Sequence, residues 1–308
     1  MAALLAVAST SRANPGRRPR RVTVCDHAFA DRRESWKRLF AAQGFVDGEN
    51  LALTIMKENA LDPARAEHAE RAAREVVASR PDVIVVVNVW FNHFIRLTDD
   101  IPVVFAGMTD PEAHGALDSL RRPGGNVTGV RDMFLERLEK RLEWLKEMRP
   151  GARRAALVGM PGPLDKTIRT RLPLIGSRLG MTTAWVKAPN AVRADVLERD
   201  LRAAKVDVAD FGIFGTREVA DMLIGLQVPA SFATPLCVRN GGLISYNSVG
   251  MQAMAVAIAA RILRGEDVRT IPTVQATSFH LAVNLRTARA LGITVPESIR
   301  ILANEVIE

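Results

Sequence analysis

Tyrosine occurs once in this chain of 308 residues, at Tyr246, and cysteine only twice, at Cys25 and Cys237. Two cysteines permit at most one disulfide, and each follows an apolar run, which favours two buried free thiols over a bridge. Val24 before Cys25 and the distance to the apolar start argue against a lipid-anchoring cysteine. There is no Gly-x-Gly-x-x-Gly fingerprint, no Walker sequence, no Gly-x-Ser-x-Gly elbow and no Cys-x-x-Cys. The five histidines, His27, His68, His93, His114 and His280, lack the spacing of a zinc site. No cofactor, no metal and no catalytic group is therefore expected. Beyond the first residues, no run approaches the roughly 18 apolar residues that a membrane span requires.

The excess of positive charge, +8, is concentrated at the start. Arg12, Arg17, Arg18, Arg20 and Arg21 lie in an arm without acids. That arm has no interleaved aromatics, and no helix-turn-helix or zinc pattern follows it, so no nucleic acid partner is expected. Residues 2–10 are apolar and Ser11-Arg12-Ala13 ends in a small residue, as in a secretory signal. The basic start of such a signal is missing. Residues 1–19 thus read as an incomplete signal, with a misassigned start codon, or as a disordered Ala-rich arm.

What is present is a steady alternation of strand and helix patterns, the mark of an α/β protein with parallel sheets. Strands are expected at 22–25, 51–56, 83–87, 103–106, 155–158, 182–186, 208–214, 228–232, 243–245 and 279–283. Between them, helical spacing appears at Trp36, Leu39 and Phe40, at Ala66, Ala69, Ala73 and Val76, and at Phe134, Leu138, Leu142 and Leu145. Pro173 falls inside a helical pattern and predicts a kink or a restart. Asn190 and Ser248 are placed to cap the helices that follow them. The length suits two domains better than one core.

In open α/β sheets, ligands bind beyond the carboxyl ends of strands. The loops there hold His27, Phe29, Asn88, Trp90, Phe91, Thr109, Asp110, Met160, Thr216, Tyr246 and Asn247. This mixture of aromatic faces and neutral hydrogen-bonding groups suits a small amphipathic ligand. Asp110 fits either an ammonium partner or a cap on the turn before Pro111, and Thr216 either a carboxylate site or a plain N-cap. Trp90, Phe91 and Tyr246 fit ligand stacking or core packing. Asn126, Thr128, Gly129 and Ser245 are read as hinge residues.

Four motifs in order point further. Residues 101–111, Ile-Pro-Val-Val-Phe-Ala-Gly-Met-Thr-Asp-Pro, lead to Arg-Pro-Gly-Gly-Asn-Val-Thr-Gly at 122–129. With them stand Gly-Phe-Val-Asp-Gly-Glu-Asn at 44–50, Gly-Gly-Leu-Ile-Ser-Tyr at 241–246 and the tail from Asn284 to Glu308. Over about residues 20–308 the chain resembles the substrate-binding proteins of bacterial ABC uptake systems, the family named for tryptophan and tyrosine transport. The loop at 88–92 departs from that family's small hydroxyl residues.

The resemblance implies a type I periplasmic binding architecture: two doubly wound parallel-sheet lobes, a three-segment hinge and a cleft between the lobes. Lobe one would take 20–127 with 247–276, and lobe two 130–244 with 280–308. It further implies a monomeric periplasmic protein that closes on an amino acid or related organic compound and docks on an inner-membrane permease. The alternatives are a two-domain α/β enzyme, such as a glycosyltransferase or epimerase, and a ligand-sensing regulator. The first would need a phosphate loop or a carboxylate pair, the second a DNA-binding module or a dedicated partner surface.

Overall fold

The structure, a computed structural model, describes residues 18–26, 32–56, 66–87, 91–109, 125–159, 165–188 and 193–308. In chain order the elements are β1 (Arg20–Cys25), α1 (Arg33–Ala41), β2 (Leu51–Met56), α2 (Ala66–Ala78), β3 (Val83–Val87), α3 (Phe91–Phe94), β4 (Val103–Met108) and β5 (Val127–Arg131). Then come α4 (Phe134–Met148), β6 (Arg154–Gly159), α5 (Asp165–Arg178), β7 (Thr182–Lys187), α6 (Ala194–Ala204), β8 (Val208–Asp210), α7 (Arg217–Gly225), β9 (Ala230–Phe232) and α8 (Pro235–Arg239). The chain finishes with β10 (Ile244–Val249), α9 (Met251–Leu263), β11 (Val274–Gln275), β12 (Ser278–Asn284), α10 (Leu285–Ala290), α11 (Glu297–Leu302) and β13 (Glu305–Ile307).

These elements form two compact units. The first runs to Asp132 and adds Gly250–Gln275; the second is Met133–Val249 with Ala276–Glu308.

The first unit is built on a sheet of order β11-β5-β4-β3-β1-β2, parallel throughout. Its central strands are apolar at every position because both faces are covered: β3 is buried along its whole length. Val83, Val85 and Val87 face a cluster with Trp36 and Phe40 of α1 and Ala255, Val256 and Ala259 of α9. Ile84 and Val86 face the opposite cluster, with Ala69, Ala73 and Val76 of α2 and Phe91 and Phe94 of α3. This is the doubly wound arrangement expected from the alternation.

The second unit carries a sheet of order β13-β12-β10-β9-β8-β6-β7. Its strands again alternate between two layers: Ala155 and Leu157 pack with α4 and α5, while Ala156 and Val158 pack with α6 and α7. Here one expectation is corrected. The pair β10 and β12 is antiparallel, from Ile244 opposite Val283 to Val249 opposite Ser278. The chain leaves the unit along β10 and returns along β12, which is why the two strands run in opposite senses.

That pairing also corrects the reading of Ser248. It lies in β10 opposite Phe279, and α9 is instead preceded by Gly250 in the left-handed region at φ 77°. The helix α6 opens at Arg193 with no side-chain cap, and Asn190 is outside the described residues. Pro173 sits inside α5 without a restart. It is exposed there, with Leu172 and Ile175 buried beside it, so the carbonyl it leaves unbonded can turn to water. The strand begun at Val208 ends at Asp210, and α8, announced only by Thr234-Pro235, was not expected. Both cysteines are free and buried. No helix among the described residues is long and apolar enough to cross a membrane.

Candidate functional site

In the first unit, the strand ends converge on polar groups that are already engaged. Asp26, just past β1 and 3% exposed, accepts a hydrogen bond from the Trp36 indole nitrogen at 2.9 Å. Thr109 follows β4, and its carbonyl accepts from Arg131 Nε at 3.3 Å. Phe91 is a core side chain, 1% exposed, set edge-on to Phe105 with ring centroids 5.4 Å apart. Its stacking surface is spent on the sheet. His27, Phe29, Asn88, Trp90, Asp110 and Met160 lie outside the described residues.

The residues read as a hinge near β5 are bonded within that unit. Asn126 donates through Nδ2 to the carbonyls of Thr98, at 3.1 Å, and Ile101, at 2.7 Å. Thr128 Oγ1, fully buried, donates to Ile271 O at 2.9 Å. Gly129 has φ 156°, and a Cβ there would lie 2.2 Å from the Phe105 carbonyl oxygen. Close approach of β5 to β4 is what this glycine provides. The side chains of Asn126 and Thr128 therefore fasten β5 and its approach to the rest of the unit; the chain leaves the unit beyond them, after Asp132.

The second unit holds the most organised polar arrangement among the described residues. The helix α4 buries Leu138, Arg141, Leu142 and Leu145 on one stripe, so a guanidinium stands where helical spacing calls for an apolar side chain. Arg141 is fully buried, as is Asp210 at the carboxyl end of β8. The pair is bidentate: Nε to Oδ2 at 2.6 Å and Nη2 to Oδ1 at 3.1 Å. Ser231 of β9 donates to Asp210 Oδ2 at 2.8 Å. The remaining terminal nitrogen of Arg141 donates to the Tyr246 carbonyl at 3.1 Å. The ladder between β9 and β10 stops at Ser245 opposite Phe232, so Arg141 supplies Tyr246 with a partner just where the strand beside it ends.

Tyr246 is half-buried in an aromatic group. Its ring stacks on Phe279 at 5.2 Å and meets Trp144 edge-on at 5.0 Å. Lys140 Nζ lies 5.2 Å from the Trp144 ring centroid. Burial pushes the Tyr246 phenol up, against the opposing pull of Lys140 and Arg137. Asn247, next in the chain, donates through Nδ2 to Ser248 O at 3.2 Å. Thr216 is the N-cap of α7: its hydroxyl accepts from Val219 N at 3.3 Å, and the side chain is exposed. The structure thus brings Tyr246 together with Arg141, Trp144 and Phe279, none of which the sequence singled out, while Asn247 projects to the other face of β10.

Ser245, read as a hinge residue, is fully buried in β10, and its hydroxyl has no hydrogen-bond partner among the described residues. A buried hydroxyl left unpaired costs roughly 1–3 kcal/mol. Ser245→Ala is accordingly expected to raise stability by about 1 kcal/mol, read as a higher urea midpoint at unchanged slope; a lowered midpoint would show that the hydroxyl is satisfied in solution.

The arrangement offers aromatic faces, neutral acceptors and fixed backbone groups. No cluster of three metal-ligating side chains occurs among the described residues. The model of the family described as ABC transporter substrate binding protein matches residues 36–307. A protein of Clostridioides difficile named tyrosine-binding protein is 22% identical over 293 residues, covering 88% of this chain and 79% of that protein. A conserved domain protein of Vibrio cholerae superposes with a TM-score of 0.79 at 23% identity, over 94% of this chain and 100% of that one. A domain from Streptococcus pneumoniae solved in complex with L-Trp gives 0.75 at 21%, over 93% and 100%. The chain belongs to the family of ABC transporter substrate-binding proteins.

Proposed function

We propose that this protein captures an α-amino acid with an aromatic side chain outside the cytoplasm and delivers it to an inner-membrane ABC permease. The observation that carries the ligand class is the kinship just given, with one relative named for tyrosine and another solved with L-Trp. Export as a monomer with a cleaved signal in residues 1–19 is part of the same reading.

The chain passes between the units at Asp132–Met133, Val249–Gly250 and Gln275–Ala276. These three crossings are the proposed hinge. A ligand that makes contacts only in the closed form shifts the population toward it by its difference in affinity for the two forms. Of the residues singled out in the sequence, Asp110, Tyr246 and Asn247 are proposed to touch ligand, and Thr216 to serve as a helix cap.

Thermal unfolding of residues 20–308 against amino acids, short organic acids, purines and sugars tests this. A ligand at 100 times its dissociation constant adds about 2.7 kcal/mol to stability. L-tyrosine, L-tryptophan or L-phenylalanine is expected to raise the melting temperature, with the shift reduced in Asp110→Ala and Tyr246→Ala. A shift only with nucleotides or sugars would overturn the assignment.

A further inference from the structure

We propose that Asn247 and His280 form the subsite that receives the α-ammonium group of the ligand. The inference rests on the amino-acid reading above. It starts from the antiparallel ladder of β10 and β12, in which Asn247 stands directly opposite His280. Residues directly opposite one another project to the same face of a sheet, with Cβ atoms about 5 Å apart. Tyr246 and Leu281, one position along, project to the other face.

Asn247 Oδ1 and His280 Nδ1 are both buried without a hydrogen-bond partner among the described residues. Ser245, two positions earlier on the same face, ends in a third such atom. Buried polar atoms are nearly always paired, so orphans gathered on one strip of one ladder call for a common partner.

The chemistry of the orphans selects that partner. The Asn247 amide is oriented by its own Nδ2, which donates to Ser248 O, so Oδ1 is the free end and can only accept. A neutral imidazole carrying its hydrogen on Nε2 presents Nδ1 as an acceptor, and a serine hydroxyl can accept as well. The strip therefore offers acceptors and no obligatory donor. A carboxylate would leave Asn247 Oδ1 without a donor, whereas an ammonium brings three N–H groups and no acceptor. Glu305, on β13 beside β12, is held by Nε and Nη2 of Arg239, each at 2.8 Å, and is already paired. Neutral acceptors are what this ladder face supplies.

The test is calorimetric titration of the full chain with L-tyrosine and L-tryptophan and with their desamino analogues, 3-(4-hydroxyphenyl)propionate and indole-3-propionate. The unaltered protein is expected to prefer the amino acids by well over tenfold. Asn247→Leu and His280→Leu should each lower that preference by about tenfold, the loss of one hydrogen bond to a charged group. Affinity for the desamino analogues should hold, which also shows that the variants are folded. Asn247→Asp, which keeps the acceptor, should retain the preference. If the unaltered protein binds the amino acids and both leucine variants keep its preference, the subsite is wrong and the functional reading stands. An unaltered protein that does not discriminate overturns the subsite in the same way. Binding of none of the four compounds overturns the functional reading, and the subsite with it.

Discussion

Asp210→Ala is expected to cost the second unit about 3–5 kcal/mol. Asp210 and Arg141 are both wholly shielded from water, so removing the carboxylate strands a guanidinium in the interior. It also leaves the Ser231 hydroxyl and the Gly212 amide without their partner. A second replacement separates the cost of stranding from the worth of the pair. Arg141→Met together with Asp210→Leu removes both charges and fills similar volume, and is expected to recover most of the loss. Chemical denaturation of both single variants and the double variant gives the coupling directly. A loss below about 1 kcal/mol for Asp210→Ala would mean that water reaches the pair. The double variant should still differ from the parent at Tyr246, whose carbonyl loses the Arg141 bond, and the near-ultraviolet dichroism of its aromatic group reports that change.

Gly129→Ala is expected to be comparably damaging in the first unit, by about 3 kcal/mol or more. The added Cβ would fall 2.2 Å from the Phe105 carbonyl oxygen and 2.6 Å from its amide nitrogen. Neither is the end of a flexible side chain. Both belong to β4, the strand buried along its whole length in the middle of the sheet, so relief requires parting β5 from β4. The pairing of β11 onto β5 and the Thr128 bond to Ile271 would be disturbed in turn. Purification of Gly129→Ala with a parental melting temperature would refute the close approach. Gly125→Ala, where nothing lies within 4 Å of the added atom, is the matched control.

Much of the fold was legible because burial on both sides leaves a plain trace. The run Val83 to Val87 could only be a covered strand, and the alternation along Leu51–Met56 matched a strand at the sheet margin. Other features depended on partners far along the chain. Ser248 has the side chain of a good cap, but the hydrogen bonds that extend β10 past it come from β12, around Phe279. No local pattern shows that. The buried ion pair left two visible signs, an arginine on the apolar stripe of α4 and an aspartate closing an apolar strand. With the two 69 positions apart, nothing in the sequence joined one sign to the other. The strand-end rule placed Tyr246 and Asn247 in a loop beyond a strand ending at Ser245, whereas pairing with β12 carries β10 on to Val249 and includes both; His280 enters only through the register of that returning strand.

The two native thiols bear on how motion in this protein can be watched. Cys25 has no exposure and Cys237 very little, and burial raises the pKa of both, so neither offers much thiolate to an electrophile. They also belong to different units. A cysteine introduced on the surface of each unit would react with maleimide dyes while the native pair stays silent. The unmodified sequence thus serves directly as the background for distance measurements by energy transfer, with no cysteine-free variant needed.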